Sequence, residues 1–127
     1  MSRGPELQAI TPILRIFSVD KAREFYLDYL GFRWDWEHRF GANFPVYAQV
    51  SRPDIALHLS EHHGDACPGA ALRIRMRGID DYRRELTAKD YRYTKPGIED
   101  EAWGARVLEV TDPFGNRLLF HEPTPKQ

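Results

Sequence analysis

The sequence DEAWGARVLEVTDPFGNRLLF, at residues 100–120, decides the fold of this 127-residue chain. An alternating run at 105–111 and a second apolar run at 117–120 flank the turn sequence DPFGN at 112–116. Proline presets the backbone for the first turn position and glycine provides a positive φ later in the turn, so the stretch predicts a β-hairpin. Trp103, which follows three acidic residues and an alanine, lies close before the first of the two strands and is a candidate functional residue.

The first half of the chain predicts one helix among several strands. Residues 9–17 alternate as a strand does, and Pro12 restricts that strand to a sheet edge or a strand start. Ser18 or Asp20 can cap a helix that runs to Leu30, because the apolar residues in this stretch recur at helical spacing. Further runs predict strands at residues 32–39, 46–50 and 55–60.

The second half repeats this order of elements. Residues 71–77 predict a strand, and Asp80 can cap a helix in which Glu85 and Lys89 form an i,i+4 ion pair. The two halves align at an offset of 60 residues near their starts and 61 near their ends. The matching positions are Leu14 with Ile74, Arg15 with Arg75, Ile16 with Met76, Asp20 with Asp80, and residues 57–61 with residues 118–122.

The repeat predicts an α+β fold built from two βαβββ modules. Neither module can bury a sheet face and a helix stripe alone, so the two must share one core. We therefore expect a single domain over residues 1–127, with module 1 at about residues 9–61 and module 2 at about residues 70–122. The strands are expected to form a curved mixed sheet with the helices on its convex face. We name the concave face the bowl.

Composition excludes several classes of protein. The formal net charge of −1 gives no electrostatic case for binding nucleic acid or an anionic membrane. A single cysteine, Cys67, excludes an internal disulfide framework. No apolar run approaches a membrane-spanning length of about 20 residues, and the amino terminus lacks the apolar core of a signal peptide. We therefore expect a cytoplasmic protein.

Strand alternation predicts which side chains face the bowl. Three arginines belong to this set, and they favour an anionic or polar ligand over a cationic one. Alternatively, the same arginines pair across strands with Asp35, Glu37 or Glu109. The residues expected to face the bowl are Thr11, Ile13, Arg15, His58, Ala71, Arg73, Arg75 and Leu119.

Two segments and the module repeat carry a resemblance to a known family. The segments are SVDKAREFYLDYLGF at residues 18–32 and TDPFGNRLLF at residues 111–120. Together with the repeat they resemble the vicinal oxygen chelate superfamily, which includes glyoxalase I, extradiol dioxygenases and bleomycin resistance proteins. In the family's metalloenzymes four side chains in the bowl hold a divalent metal. The resemblance places those positions at Thr11, His58, Ala71 and Leu119, of which only His58 is a good ligand, so we expect no metal and no cofactor.

Within this superfamily the chain is most similar to bleomycin resistance proteins. The likeness lies in an acidic residue and Trp103-Gly104 before a DP-x-GN hairpin, in Trp36 after the sequence LGF, and in Pro12 within the first strand. It implies a non-catalytic protein that sequesters a small-molecule ligand, such as a bleomycin-family antibiotic, in a cleft between two subunits. It also implies a homodimer in which the first strand, residues 9–17, is exchanged between partners.

The predicted ligand-binding residues combine aromatic walls with polar contacts, because flat heteroaromatic ligands stack on aromatic rings. Trp34 and Trp36 alternate with charged residues and are expected to share one strand face, where one of them serves as a core residue. No catalytic residue is predicted. The full ligand-binding set is Trp36, Phe40, Phe44, Tyr47, His58, Ser60, Arg73, Arg75 and Trp103.

Two alternative functions remain open. One is a metal-dependent lyase or dioxygenase of the glyoxalase type, with an atypical metal site in which Glu109 or His121 joins His58. The other is a dimeric interaction module without a ligand. A metal cluster in the connector between the modules is disfavoured because its spacing matches no zinc pattern; its members are His58, His62, His63 and Cys67.

Overall fold

Eight strands and two helices make up residues 4–125, which are the residues that the structure, a computed structural model, describes. The strands are β1 Ile13–Arg15, β2 Arg33–Arg39, β3 Val46–Arg52, β4 Ile55–Ser60, β5 Ala71–Arg75, β6 Ile98–Glu101, β7 Ala105–Thr111 and β8 Arg117–Pro123. The helices are α1, Val19–Arg23, which continues directly into the π-helical segment Glu24–Tyr29, and α2, Ile79–Ala88.

The strands form two four-stranded sheets with the same strand order. The first sheet has the order β1-β4-β3-β2 and the second the order β5-β8-β7-β6. In each sheet the first strand of the module runs parallel to the last, and all other pairs are antiparallel. The predicted α+β fold with two βαβββ modules is therefore confirmed, with the mixed sheet divided into two halves.

One hydrophobic core joins the two modules. It contains strand residues from both sheets together with the buried faces of both helices. The alternation is as predicted: Leu14 and Ile16 of the first module are buried, while Ile13, which precedes Leu14, is exposed. No helix within residues 4–125 has both the length and the apolar composition that a bilayer crossing requires.

The turn between β7 and β8 is tied to the first module by buried hydrogen bonds. The Asp112 carboxylate accepts the backbone N–H groups of Phe114 and Asn116 at 2.9 and 2.8 Å, which closes the turn. The same carboxylate accepts the hydroxyl of Tyr26, from the π-helical segment, at 2.6 Å. The Asn116 amide donates to the backbone oxygen of Arg15, the last residue of β1, at 2.8 Å. The hairpin is thus both a local turn and a joint between the modules.

Helix α2 is also fixed to the first module. The Tyr82 hydroxyl donates to the backbone oxygen of Leu30 at 2.8 Å. Arg52 pairs with Glu85 at 3.0 Å, and Lys89 donates to a backbone oxygen at the end of the π-helical segment. The predicted i,i+4 pair between Glu85 and Lys89 is therefore wrong, because both side chains bind the first module instead.

The first turn of α2 departs from the expected capping by Asp80. The helix begins after Gly78, whose φ of 82° suits glycine, and the carboxylate of Glu122 accepts the Gly78 backbone N–H at 2.5 Å. Asp80 instead forms a paired contact with Arg106 on β7, at 2.7 and 3.1 Å. A carboxylate from β8 thus takes the capping role and ties the helix to the second sheet.

The first strand is shorter than the predicted residues 9–17. Within the predicted range only Ile13–Arg15 pairs with β4, in the same chain. Leu7 and Ile10 are 98% and 92% exposed. We name residues 4–12 the arm. A further strand, β6, occupies a stretch in which the sequence indicated only a loop and acidic residues.

We predict that Tyr26→Phe lowers the free energy of unfolding by about 1–3 kcal/mol, the range for a lost hydrogen bond to a buried charged group. Burial and the neighbouring Asp112 raise the pKa of Tyr26, so its hydroxyl stays protonated and able to donate. Urea unfolding followed by circular dichroism measures the change. Tyr93→Phe, at an exposed ring, is the matched control. Equal stability of the two variants would contradict a stabilising role for the hydrogen bond between Tyr26 and Asp112.

Candidate ligand-binding site

A β-bulge separates the two tryptophans of β2. The register with β3 pairs Trp34 with Val50 but Trp36 with Gln49, so one extra residue lies between the two pairs. Trp34 packs against the core with the guanidinium of Arg23 4.1 Å from its ring centroid. Trp36 is 43% exposed on the opposite face. The expectation that both share one face is therefore wrong, because alternation fails at a bulge.

Trp36 forms a surface with two rings from neighbouring strands. Its ring stacks on Tyr47 at 6.2 Å between centroids and meets His58 edge-on at 5.4 Å. Tyr47 and His58 also contact each other edge-on, at 5.1 Å. All three lie on the face of the first sheet that is turned away from the core. We name Trp36, Tyr47 and His58 the aromatic surface.

A chain of hydrogen bonds orders this surface. The Tyr47 hydroxyl donates to Nδ1 of His58 at 2.7 Å, and Nε2 of His58 donates to the Gln49 oxygen at 3.0 Å. The Gln49 amide in turn donates to Asp35 at 3.0 Å. Burial lowers the pKa of His58, which agrees with a neutral ring. The Tyr47 proton is therefore committed to His58, and the Tyr47 oxygen remains free to accept a bond from a ligand.

The residues present do not fit the metal site of the family's metalloenzymes. Both nitrogens of His58 are engaged by Tyr47 and Gln49. Ala71 and Leu119 have no donor atoms, and a catalytic site needs about three protein ligands. Within residues 4–125, no three side chains of His, Cys, Asp or Glu come together in a way that suits a metal ion.

The other predicted residues of the first module have different surroundings. Phe40 is exposed and lies edge-on to His38 at 4.6 Å, at the rim of the first sheet. Phe44 is exposed in the loop that follows. Ser60 is fully buried; its hydroxyl donates to Asp65 at 2.7 Å and accepts a backbone N–H. Ser60 therefore orders the following loop and is closed to a ligand in this conformation.

The second sheet carries the predicted arginines on its open face. Arg73 contacts Glu101 at 3.5 Å and lies 5.0 Å from the ring centroid of Trp103, which is 64% exposed. Arg75 lies opposite His121 in the register of β5 with β8. We name Arg73, Arg75, Trp103 and His121 the arginine face. A cleft of about 740 Å³ runs beside it, between the arm and β5.

The expected cross-strand partners of the arginines are wrong. Asp35, Glu37 and Glu109 each pair with an arginine from outside the predicted set, namely Arg33, Arg23 and Arg117. Arg15 instead lies 4.8 Å from the ring centroid of Phe17. The alternative prediction, that these three carboxylates neutralise Arg15, Arg73 and Arg75, is thus not what the structure shows.

Sequence reasoning missed Gln49 and Asp35 as members of the site. Gln49 alternates with Tyr47 on β3, so its position on the open face was available from the strand pattern. Asp35 reaches Gln49 only because of the bulge in β2, and no residue type in the sequence predicts that bulge.

Comparison with known proteins finds one family and many similar folds. A family model described as glyoxalase superfamily protein matches residues 5–126. No curated protein matches the chain significantly. A glyoxalase-related enzyme from Clostridium phytofermentans has a crystal structure with a TM-score of 0.72 and 20% identity, covering 96% of this chain and 99% of that one.

Two structures concern bleomycin. A bleomycin-binding protein complexed with bleomycin gives a TM-score of 0.71 at 22% identity, with 91% of this chain and 98% of that chain covered. A bleomycin resistance determinant encoded on the transposon Tn5 gives 0.72 at 21% identity, with 92% and 98% covered. At these identities the likeness establishes a shared fold.

We predict that Tyr47→Phe raises the pKa of His58. The Tyr47 hydroxyl donates to Nδ1, a bond that only the neutral ring can accept, so its removal favours protonation. An NMR titration of the imidazole resonances measures the change, with His58 assigned by its loss in His58→Gln. Tyr93→Phe serves as the control. An unchanged or lower pKa for His58 would show that this bond is not formed in solution.

Proposed function

The chain belongs to the glyoxalase superfamily, and from this premise we propose that it is a non-catalytic protein that binds and sequesters a small molecule in a cleft between two subunits. The resemblance to the vicinal oxygen chelate superfamily is confirmed by the same match.

The aromatic surface is the observation that carries this proposal. An exposed tryptophan, Trp36, lies against Tyr47 and His58 on an open sheet face, where it contributes nothing to the core. The hydrogen-bond chain holds the Tyr47 and His58 rings in place before any ligand arrives, which reduces the entropy lost on binding. Such a preformed wall suits a flat aromatic or heteroaromatic ligand, because each stacked ring pair contributes about 0.5–1.5 kcal/mol beyond area burial.

The donor set favours binding over metal chemistry. The alternative lyase or dioxygenase needs His58 together with Glu109 or His121. Glu109 contacts Arg117 at 3.6 Å, and both nitrogens of His58 are already hydrogen-bonded. The bleomycin-binding protein of the same fold supplies a precedent for ligand binding. Arg73 and Arg75 on the open face disfavour a cationic drug, so we propose bleomycin as a probe and not as the specific ligand.

The arm supports a homodimer. Leu7 and Ile10 are almost fully exposed in the single chain, an arrangement that costs apolar hydration unless a partner covers them. We propose that the arm, and not the whole of residues 9–17, crosses to the partner, since Ile13–Arg15 already pairs with β4 of its own chain. Each cleft is then built from the aromatic surface of one chain and the arginine face of the other.

We predict that Trp36→Ala and Trp103→Ala each weaken binding of bleomycin or 2-naphthamide about tenfold, equivalent to about 1.4 kcal/mol, with little loss of stability. Both rings are substantially exposed, so few core contacts are lost. Thermal-shift titration and calorimetry of metal-stripped protein measure the two effects. Tyr93→Ala is the control for loss of an exposed ring. A wild-type protein that is stabilised by Zn²⁺ or Mn²⁺ and by neither organic probe would overturn the proposed function.

We predict that the double substitution Leu7→Asp and Ile10→Asp converts a dimer into a monomer. Two charges placed on the apolar positions of the arm would have to be buried at the interface. Size-exclusion chromatography with light scattering measures the mass. Gln8→Asp adds charge to the same arm at a polar position and is expected to leave the dimer intact. A wild-type chain that is monomeric at micromolar concentration would contradict the exchange.

A further inference from the structure

The arginine face has hydrogen-bonding capacity that the chain itself does not use. Arg73 and Arg75 project from β5 on the open side, opposite Leu119 and His121 of β8. The two arginines differ in their surroundings. Arg73 is held between Glu101 and the ring of Trp103, whereas Arg75 is exposed and forms no ion pair with any residue in the range 4–125.

His121 has an unused polar atom beside Arg75. Its Nδ1 is buried and has no hydrogen-bond partner of normal geometry among the described residues. Buried polar atoms in proteins are normally paired, so an unpaired Nδ1 beside a guanidinium without an acceptor among the described residues marks unused hydrogen-bonding capacity. Burial and the charges of Arg73 and Arg75 lower the pKa of His121, whereas the carboxylate of Glu101 acts on the ring in the opposite direction.

The acidic residues of this sheet face do not supply that acceptor. Glu101 contacts Arg73, and Glu109 contacts Arg117. Glu99, on β6, lies opposite Val107 of β7, which separates it from His121 on β8. Within residues 4–125, Arg75 and His121 therefore form a cationic position that no carboxylate hydrogen-bonds, although Glu101 lies near enough to influence His121 electrostatically.

We propose that Arg75 and His121 bind the carboxylate of a small aromatic acid whose ring stacks on Trp103. This inference rests on the proposed function, because it names the ligand class of that same cleft. A guanidinium matches a carboxylate with two parallel hydrogen bonds, and an Nδ1–H of His121 donates to an oxygen from the neighbouring strand. Trp103 presents an exposed ring beside Arg73 for the aromatic part of the ligand.

A matched set of probe compounds separates the contribution of the ligand's negative charge to affinity from that of its aromatic ring. 2-Naphthoate and the neutral 2-naphthamide have the same ring system, and inorganic phosphate has charge without a ring. Calorimetry on the wild-type full chain and on Arg75→Gln gives the affinities. Arg83→Gln removes the same charge from the exposed side of α2 and is the control. NMR titration of His121, assigned by its loss in His121→Gln, gives the pKa of the ring with and without each probe.

The expected result is that 2-naphthoate binds more tightly than 2-naphthamide and raises the pKa of His121. Arg75→Gln should weaken 2-naphthoate about tenfold, the equivalent of about 1.4 kcal/mol, and leave 2-naphthamide unchanged. Equal affinity for the acid and the amide, equal effects of Arg75→Gln and Arg83→Gln, or an unmoved pKa of His121 would overturn the carboxylate site. If phosphate binds as tightly as 2-naphthoate, the ring adds no affinity, and the proposed stacking on Trp103 is wrong.

These outcomes are distinct from failure of the proposed function. If 2-naphthamide binding is lost in Trp36→Ala and the wild type shows no preference for 2-naphthoate, the proposed sequestration is supported and the carboxylate site is wrong. Binding of 2-naphthoate that depends on Arg75 but not on Trp36 would keep the carboxylate site and remove the shared aromatic cleft.

Discussion

The buried Asp112 carboxylate is the constraint on which the arrangement of the two modules depends. It closes its own turn through two backbone N–H groups and accepts the Tyr26 hydroxyl from the other module. Asn116, in the same turn, reaches the backbone of Arg15. A carboxylate buried to this extent is tolerable only when its oxygens are satisfied, so the turn and the module contact must form together. The first sheet and the hairpin of the second are thereby held in one orientation.

With one face of each sheet committed to that shared core, the opposite faces are free for other chemistry. The first sheet uses its free face for rings that are fixed by a hydrogen-bond chain through His58 and Gln49. The second uses its free face for Arg73 and Arg75. In this division stability comes from the helix side, and the recognition that we propose lies on the open side, where the residues do not fit the metal site of the family's metalloenzymes.

The sequence predicted the features that depend on the periodicity of apolar residues and on turn chemistry. It missed the features that depend on tertiary contacts. The hairpin, the duplicated modules and the buried faces followed from alternation and from the DPFGN turn. Trp34 and Trp36 alternate without interruption, so nothing in the residue types indicates the bulge that separates them. Glu85 and Lys89 have the spacing of a local pair, yet contacts to the first module outcompete it. The open-face positions of His58, Arg73 and Arg75 followed from strand alternation alone.

A mixed dimer tests the shared cleft most directly. Chains carrying Trp36→Ala and Trp103→Ala can be co-expressed with different tags, and the dimer that holds both tags can be titrated with bleomycin or 2-naphthamide, whichever the wild type binds. If each cleft takes Trp36 from one chain and Trp103 from the other, the mixed dimer has one intact cleft and binds one ligand with wild-type affinity. If the mixed dimer has no site of wild-type affinity, both rings of a cleft come from the same chain, and the two-subunit cleft is wrong.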